Sequence, residues 1–176
     1  KGADAKGVYT LRSMDDAKDI KEASENKQVV IVGTGFIGME VASALMEAGK
    51  VASITIVGRS PRVMSNIVSE SISDALIDLH KEKGVNFAFG ANVAEIAQDN
   101  GTVSGVVLDD GNKIDADMII LGTGVAPRTE IIDEVNDPDG VQVNDYLELR
   151  DGVYALGDIA KATNQMGRMR IEHWRV

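Results

Sequence analysis

Three glycines, Gly33, Gly35 and Gly38, stand directly behind the apolar run Val29-Val30-Ile31-Val32 and constrain this chain more than any other feature. Four consecutive β-branched or apolar residues read as a strand buried on both faces. Beyond the glycines, Ile37, Val41, Ala44, Leu45 and Ala48 recur at helical spacing and predict one apolar helix face. Strand, glycine turn and helix in that order form the arrangement that holds a dinucleotide pyrophosphate. Gly33 permits the tight turn, and Gly35 lets the backbone approach the phosphates without an intervening side chain. Gly38 lets the helix pack closely, and the helix N-terminus turns free N–H groups and positive dipole toward the anion. Phe36 and Ile37, at the junction of loop and helix, belong to the same candidate site. A glycine-rich turn with no ligand is the competing interpretation, and the strand on each side of the loop-helix unit weighs against it.

The remaining elements follow from pattern. Residues 1–13 read as an extended entry, and Ser13 is placed to N-cap a helix over 14–25, with Asp15 and Asp16 in its first turn. Strands are expected over 28–33 and 53–58, with the helix between them over 36–49 and Gly49 as its stop. A second amphipathic helix spans 69–83, with Ile72, Leu76 and Leu79 directed inward and Gly84 ending it. A short strand over 85–89 precedes a meander over 93–97, 102–108 and 113–114, with a turn at 110–112. Met118-Ile119-Ile120-Leu121 is a fully apolar strand running into Gly122-Thr123-Gly124. Gly33, Gly58, Gly122 and Gly124 therefore fall at the carboxyl edges of strands, the end of an α/β sheet where ligands bind. The fold class is α/β, a doubly wound, Rossmann-like parallel sheet with an antiparallel meander as an excursion.

Composition excludes several functions. The net charge of −10 comes without a basic cluster, so a phosphate-backbone partner, and with it nucleic acid, is not expected. No run is long enough to span a membrane. With two His and no Cys, no metal site and no redox dithiol are expected, and an intracellular setting, cytoplasmic or mitochondrial, fits. His80 reads as a surface residue. No Ser-His-Asp or Cys-His arrangement is visible, so no side chain is assigned a catalytic role. Lacking an initiator Met, the chain reads as a segment of a longer protein.

Further motifs join the glycine loop. Val8-Tyr9-Thr10-Leu11-Arg12-Ser13-Met14-Asp15-Asp16-Ala17 leads in, G-T-G-V-A-P stands at 122–127, and G-V-Y-A-L-G-D-I-A at 152–160. Ile171-Glu172-His173-Trp174 follows. In this order the motifs resemble the flavin-dependent pyridine-nucleotide oxidoreductases with two dinucleotide domains, in particular their apoptosis-inducing-factor-like and ferredoxin-reductase-like branch. The resemblance covers essentially the whole chain. It implies that residues 1–124 are an NAD(P)H-binding domain and that 125–176 are part of an FAD-binding domain whose own glycine loop is not among these residues. It implies FAD and NADH or NADPH as cofactors, hydride transfer from nicotinamide to flavin, and a separate electron-acceptor protein or domain. Whether that acceptor is a ferredoxin, a Rieske-type domain, a quinone or a disulfide stays open. A nucleotide-responsive signalling or interaction module with little turnover is the alternative.

The resemblance also assigns single residues. Glu40 matches the Glu that helps place the nicotinamide against the flavin. Asp158 matches a carboxylate that accepts hydrogen bonds from the flavin ribityl chain, and His173 and Trp174 match the segment beside the flavin ring. Gly58-Arg59-Ser60 occupies the place, about 20 residues past the last glycine, where an acid would hold the ribose of NAD. No acid stands there. Arg59 and Ser60, with Arg62 nearby, are suited to meet a 2′-phosphate, although Arg59 stacked on adenine or simply solvated fits the same position.

Overall fold

The computed structural model describes residues 1–132, 137, 139–164 and 167–170, with side-chain surroundings described to residue 162. The chain forms two compact units, Lys1–Gly124 and Val125–Val176.

The first unit is built on five parallel strands. They are β1 (Val8–Thr10), β2 (Gln28–Val32), β3 (Ser53–Gly58), β4 (Val85–Phe89) and, numbered by its place in the chain, β8 (Met118–Leu121). Their order is β1-β8-β2-β3-β4. Helices α1 (Met14–Ala23), α2 (Phe36–Ala48) and α3 (Glu70–Glu82) connect the first four strands, always stepping in the same direction along the sheet. Right-handed crossovers then place all three helices on one face. The return from β4 to β8 runs the other way, so its connection crosses the opposite face. That connection is the antiparallel meander β5 (Val93–Asp99), β6 (Thr102–Leu108) and β7 (Lys113–Asp115).

Side chains alternate accordingly. Val29, Ile31, Ile54, Ile56, Met118 and Ile120 bury against Ile20 of α1, Met39, Ala42 and Leu45 of α2, and Ile77 of α3. Val30, Val57 and Ile119 point the other way, onto Ile96, Val103, Val106 and Leu108 of the meander. Because both faces are covered, the central strands are apolar throughout, the pattern that marked them in the sequence.

Three local readings change. Residues 1–13 contain β1, whose Val8, Tyr9 and Thr10 lie beside Ile119, Ile120 and Leu121. In α2 the buried residues are Gly38, Met39, Val41, Ala42 and Leu45, whereas Ala44 and Ala48 are exposed. In α3 the buried residues are Ser73, Ile77 and His80, and Ile72 and Leu79 face solvent. The face of α3 is set by two polar groups that found partners. Ser73 donates its hydroxyl to the Val63 carbonyl at 2.7 Å. His80, expected at the surface, places Nδ1 2.8 Å from the Leu76 carbonyl and Nε2 3.3 Å from the Met39 carbonyl of α2.

The second unit is small. Strand β9 (Val141–Gln142) pairs in parallel with β12 (Ala160–Asn164), which pairs antiparallel with β13 (Gly167–Arg170). A hairpin of β10 (Glu148–Arg150) and β11 (Val153–Tyr154) precedes a 3-10 turn at Gly157–Ile159. Its buried core, among the described residues, consists of Val141, Val143, Ala155 and Ala160. Large apolar side chains remain outside, including Ile131, Tyr146 and Leu156, the last 67% exposed.

Candidate dinucleotide-binding site

At the carboxyl edge of the sheet β2 lies between β8 and β3, so the ends of three adjacent parallel strands meet there. The backbone stitches the edge together. Gly33 N–H donates to the Val57 carbonyl and Gly122 N–H to the Val32 carbonyl, both at 2.8 Å. Gly33, Gly58 and Gly122 thus converge, as expected of residues that end three adjacent strands.

Each glycine is there for a different reason. Gly33 has φ +124°, and a β-carbon on it would collide with the Gly122 carbonyl. Gly38 lies so close under the turn that a β-carbon would occupy the position of the Gly33 carbonyl oxygen. A β-carbon on Gly122 would stand 3.3 Å from the Gly38 nitrogen. Gly58 is closed off by the Thr34 side chain. Gly35 differs from these four. Its φ of −85° suits any residue, and a β-carbon there meets nothing within 4 Å. The fold has no use for a glycine at that position, and the space it leaves opens at the start of α2.

Gly35 is also the N-cap of α2, and no side chain caps that helix. No acidic residue lies in its first turn. In α1, by contrast, Ser13 and Asp16 close the N-terminus in a reciprocal capping box. The first N–H groups of α2 therefore keep their capacity for an anion, reinforced by the helix dipole.

Around this centre, Phe36 is exposed and Ile37 half-buried against the core. Glu40 is exposed at the start of the second turn of α2. Arg59 is exposed and Ser60 half-buried. Arg62 is committed elsewhere, because its guanidinium pairs with Glu70 at the start of α3. Gly124 is exposed with φ +112° and no neighbour to exclude a side chain. In the second unit Asp158 is exposed on its 3-10 turn. His173 and Trp174 lie outside the described residues.

The sequence reading passed over Thr34, which sits between two of the glycines. Its carbonyl accepts the Met64 N–H at 2.9 Å, tying the loop after β3 to the glycine loop. A cleft of about 350 Å³ opens at the opposite edge of the sheet, walled by Gln28, Asp99, Thr102, Ser104, Asp115 and Asp117. Its walls carry three acids and no base, which disfavours an anion there. No helix among the described residues is long and apolar enough to cross a membrane.

Fold and edge together define a Rossmann-like α/β domain. The family model for pyridine nucleotide-disulphide oxidoreductase matches residues 1–176. Rubredoxin-NAD(+) reductase from Pseudomonas putida is 38% identical over 167 residues, covering 93% of this chain and 43% of that protein. The ferredoxin reductase for the CYP199A2 system from Rhodopseudomonas palustris superposes with a TM-score of 0.89 at 32% identity, over 97% of this chain and 43% of that one. The covalent putidaredoxin reductase–putidaredoxin complex gives a TM-score of 0.84 at 28% identity, over 97% and 42%. This chain belongs to the pyridine nucleotide-disulphide oxidoreductase family, in its ferredoxin-reductase-like branch. The family uses FAD and NAD(P)H. The chain spans less than half the length of the relatives it matches.

Proposed function

We propose that residues 1–124 are the NAD(P)H-binding domain, and 125–176 a segment of the FAD-binding domain, of a reductase that passes electrons to a separate acceptor protein. The observation that carries this reading is Gly35, a glycine that neither backbone angle nor packing requires, at an uncapped helix N-terminus. A pyrophosphate needs both the missing side chain and the free N–H groups.

When bound, the nicotinamide supplies a hydride and the flavin accepts it. The chain's own part is binding and orientation. Gly33, Gly35, Phe36, Ile37 and Gly38 hold the pyrophosphate, and Gly58, Arg59 and Ser60 receive the adenosine ribose. Glu40, exposed and without an ion pair or side-chain hydrogen bond among the described residues, remains available to orient the nicotinamide. Gly122 and Gly124 are assigned to the nucleotide-binding edge, and Asp158 and Trp174 to the flavin-binding residues of the full-length protein. The small core of the second unit, with Tyr146 and Leu156 outside it, supports its reading as part of a larger domain. For the acceptor, the relatives named for rubredoxin and putidaredoxin support a small redox protein.

Calorimetric titration of the full-length protein with NADH and NADPH tests the site. Gly35→Val should weaken binding at least tenfold, since a branched side chain would stand where the pyrophosphate lies. Equal affinity in parent and variant would refute the assignment.

A further inference from the structure

A dinucleotide-binding sheet ordinarily ends its second strand with an acid, whose carboxylate takes the ribose hydroxyls and repels a 2′-phosphate. Here that position is Gly58, buried at the end of β3. Its φ does not lie in the positive range, so the backbone does not demand glycine. The demand comes from Thr34. A β-carbon on Gly58 would collide with the Thr34 methyl group and lie 3.1 Å from its hydroxyl oxygen.

Thr34 cannot easily withdraw. It is bracketed by Gly33, locked at φ +124° against Gly122, and its carbonyl is held by Met64 N–H. Its hydroxyl has no hydrogen-bond partner among the described residues and stays available to a ligand oxygen. The exposed Arg59, next in the chain to Gly58, brings positive charge, while the Glu70 carboxylate is paired with Arg62.

Resting on the reading of residues 33–38 as the dinucleotide site, we propose that Thr34 is its specificity-determining residue. By filling the volume of a side chain at position 58, it keeps a carboxylate away from the ribose. The subsite then presents a neutral hydroxyl and the Arg59 guanidinium, and accepts 2′-phosphorylated dinucleotide at least as well as the unphosphorylated form. This departs from the NAD(+) in the names of the relatives.

The test uses the oxidised full-length protein with ADP-ribose and 2′-phospho-ADP-ribose, which carry the relevant half of the ligand and no redox chemistry. The parent should bind the phosphorylated compound equally or more tightly. The double variant T34G/G58E, with the space reopened and the acid supplied, should shift the ratio at least tenfold toward ADP-ribose. A second measurement is independent of ligand: G58A should lower the unfolding midpoint more in the presence of Thr34 than in the T34G background. A parent that prefers ADP-ribose tenfold, an unchanged ratio in a folded double variant, or absence of coupling between the two positions would each overturn the proposal. Failure of the parent to bind either compound would instead refute the site, and the proposal with it.

Discussion

The carbonyl oxygen of Gly33 occupies the position that a β-carbon on Gly38 would need, so loop and helix touch backbone to backbone. Two glycines of one motif thereby serve the fold, while the third, Gly35, meets no packing demand and is the one proposed to face a ligand. Gly38→Ala should destabilise by about 2 kcal/mol or more, because overpacking against backbone outweighs the better helix propensity of alanine. Gly35→Ala, with open space around it, should cost no more than about 1 kcal/mol, the loss of a tolerated N-cap residue. Urea unfolding of both variants checks the contrast; equal losses would contradict it.

Arg59 stands exposed beside the Gly58 edge, while Arg62 is taken by Glu70. A charge-assisted hydrogen bond to phosphate is worth about 1.5–3 kcal/mol. Arg59→Ala should therefore weaken NADPH by roughly 10- to 100-fold and leave NADH nearly unchanged. Parallel titrations decide: equal losses would indicate stacking on adenine, and no loss would make Arg59 a bystander.

His80 fills a buried position between α3 and α2, its ring between the Leu76 and Met39 carbonyls. Met39 belongs to the first turns of the helix that begins at the glycine loop. His80→Ala should cost about 2–4 kcal/mol, from the lost ring and the lost tie between helices. Denaturant titration gives the value, and a loss below 1 kcal/mol would show that α2 holds its place without the bridge.

Asp16 closes the capping box of α1. Its carboxyl is held below the ordinary Asp range, chiefly by the Ser13 backbone N–H at 2.7 Å, then by the Ser13 hydroxyl and the Arg12 N–H. A depressed folded-state pKa contributes stability above the unfolded pKa, which disappears as pH falls through the folded value. The stability difference between parent and Asp16→Asn should therefore be present at neutral pH and shrink steadily on acidification below about pH 4. A difference constant down to pH 2 would sink this account.

The 176 residues alone should not retain FAD. Asp158 is solvent-exposed, and the second unit, with four buried core residues among those described, is proposed to supply only part of a flavin site. The chain mixed with FAD and dialysed should be colourless and gain no thermal stability. Stoichiometric flavin absorbance would require a different assignment for residues beyond 125.

How far the sequence could be read depended on where each residue's partner lies. The elements β2, α2, β3 and β8 were legible because apolar runs buried on both faces and a glycine turn are local signals. The lead-in was not read as a strand, because three residues with one neighbour at β8 carry no periodic signature. The face of α3 was misjudged for a related reason. Ser73 and His80 are polar by composition but buried by bonds to Val63 and Met39, which lie in other elements. At the site, Gly33, Gly35, Gly38, Gly58 and Gly122 were identifiable from order alone. Thr34 was not, since only its contact with Gly58 gives it meaning.

The placement of β8 bears on how the chain comes to be folded. The second strand position in the sheet is filled by the last strand of the unit to be synthesised, flanked by two strands made long before it. Until Met118–Leu121 leaves the ribosome, β1 has no partner and β2 presents an open edge of apolar backbone. Parallel pairing over such a separation is slow and exposes the nascent chain to aggregation. The step that completes the sheet also brings Gly122 under Gly33 and Gly38, so the binding edge exists only once the domain has closed. A translation intermediate ending short of residue 118 should therefore be protease-sensitive and blind to nucleotide, however complete its glycine loop.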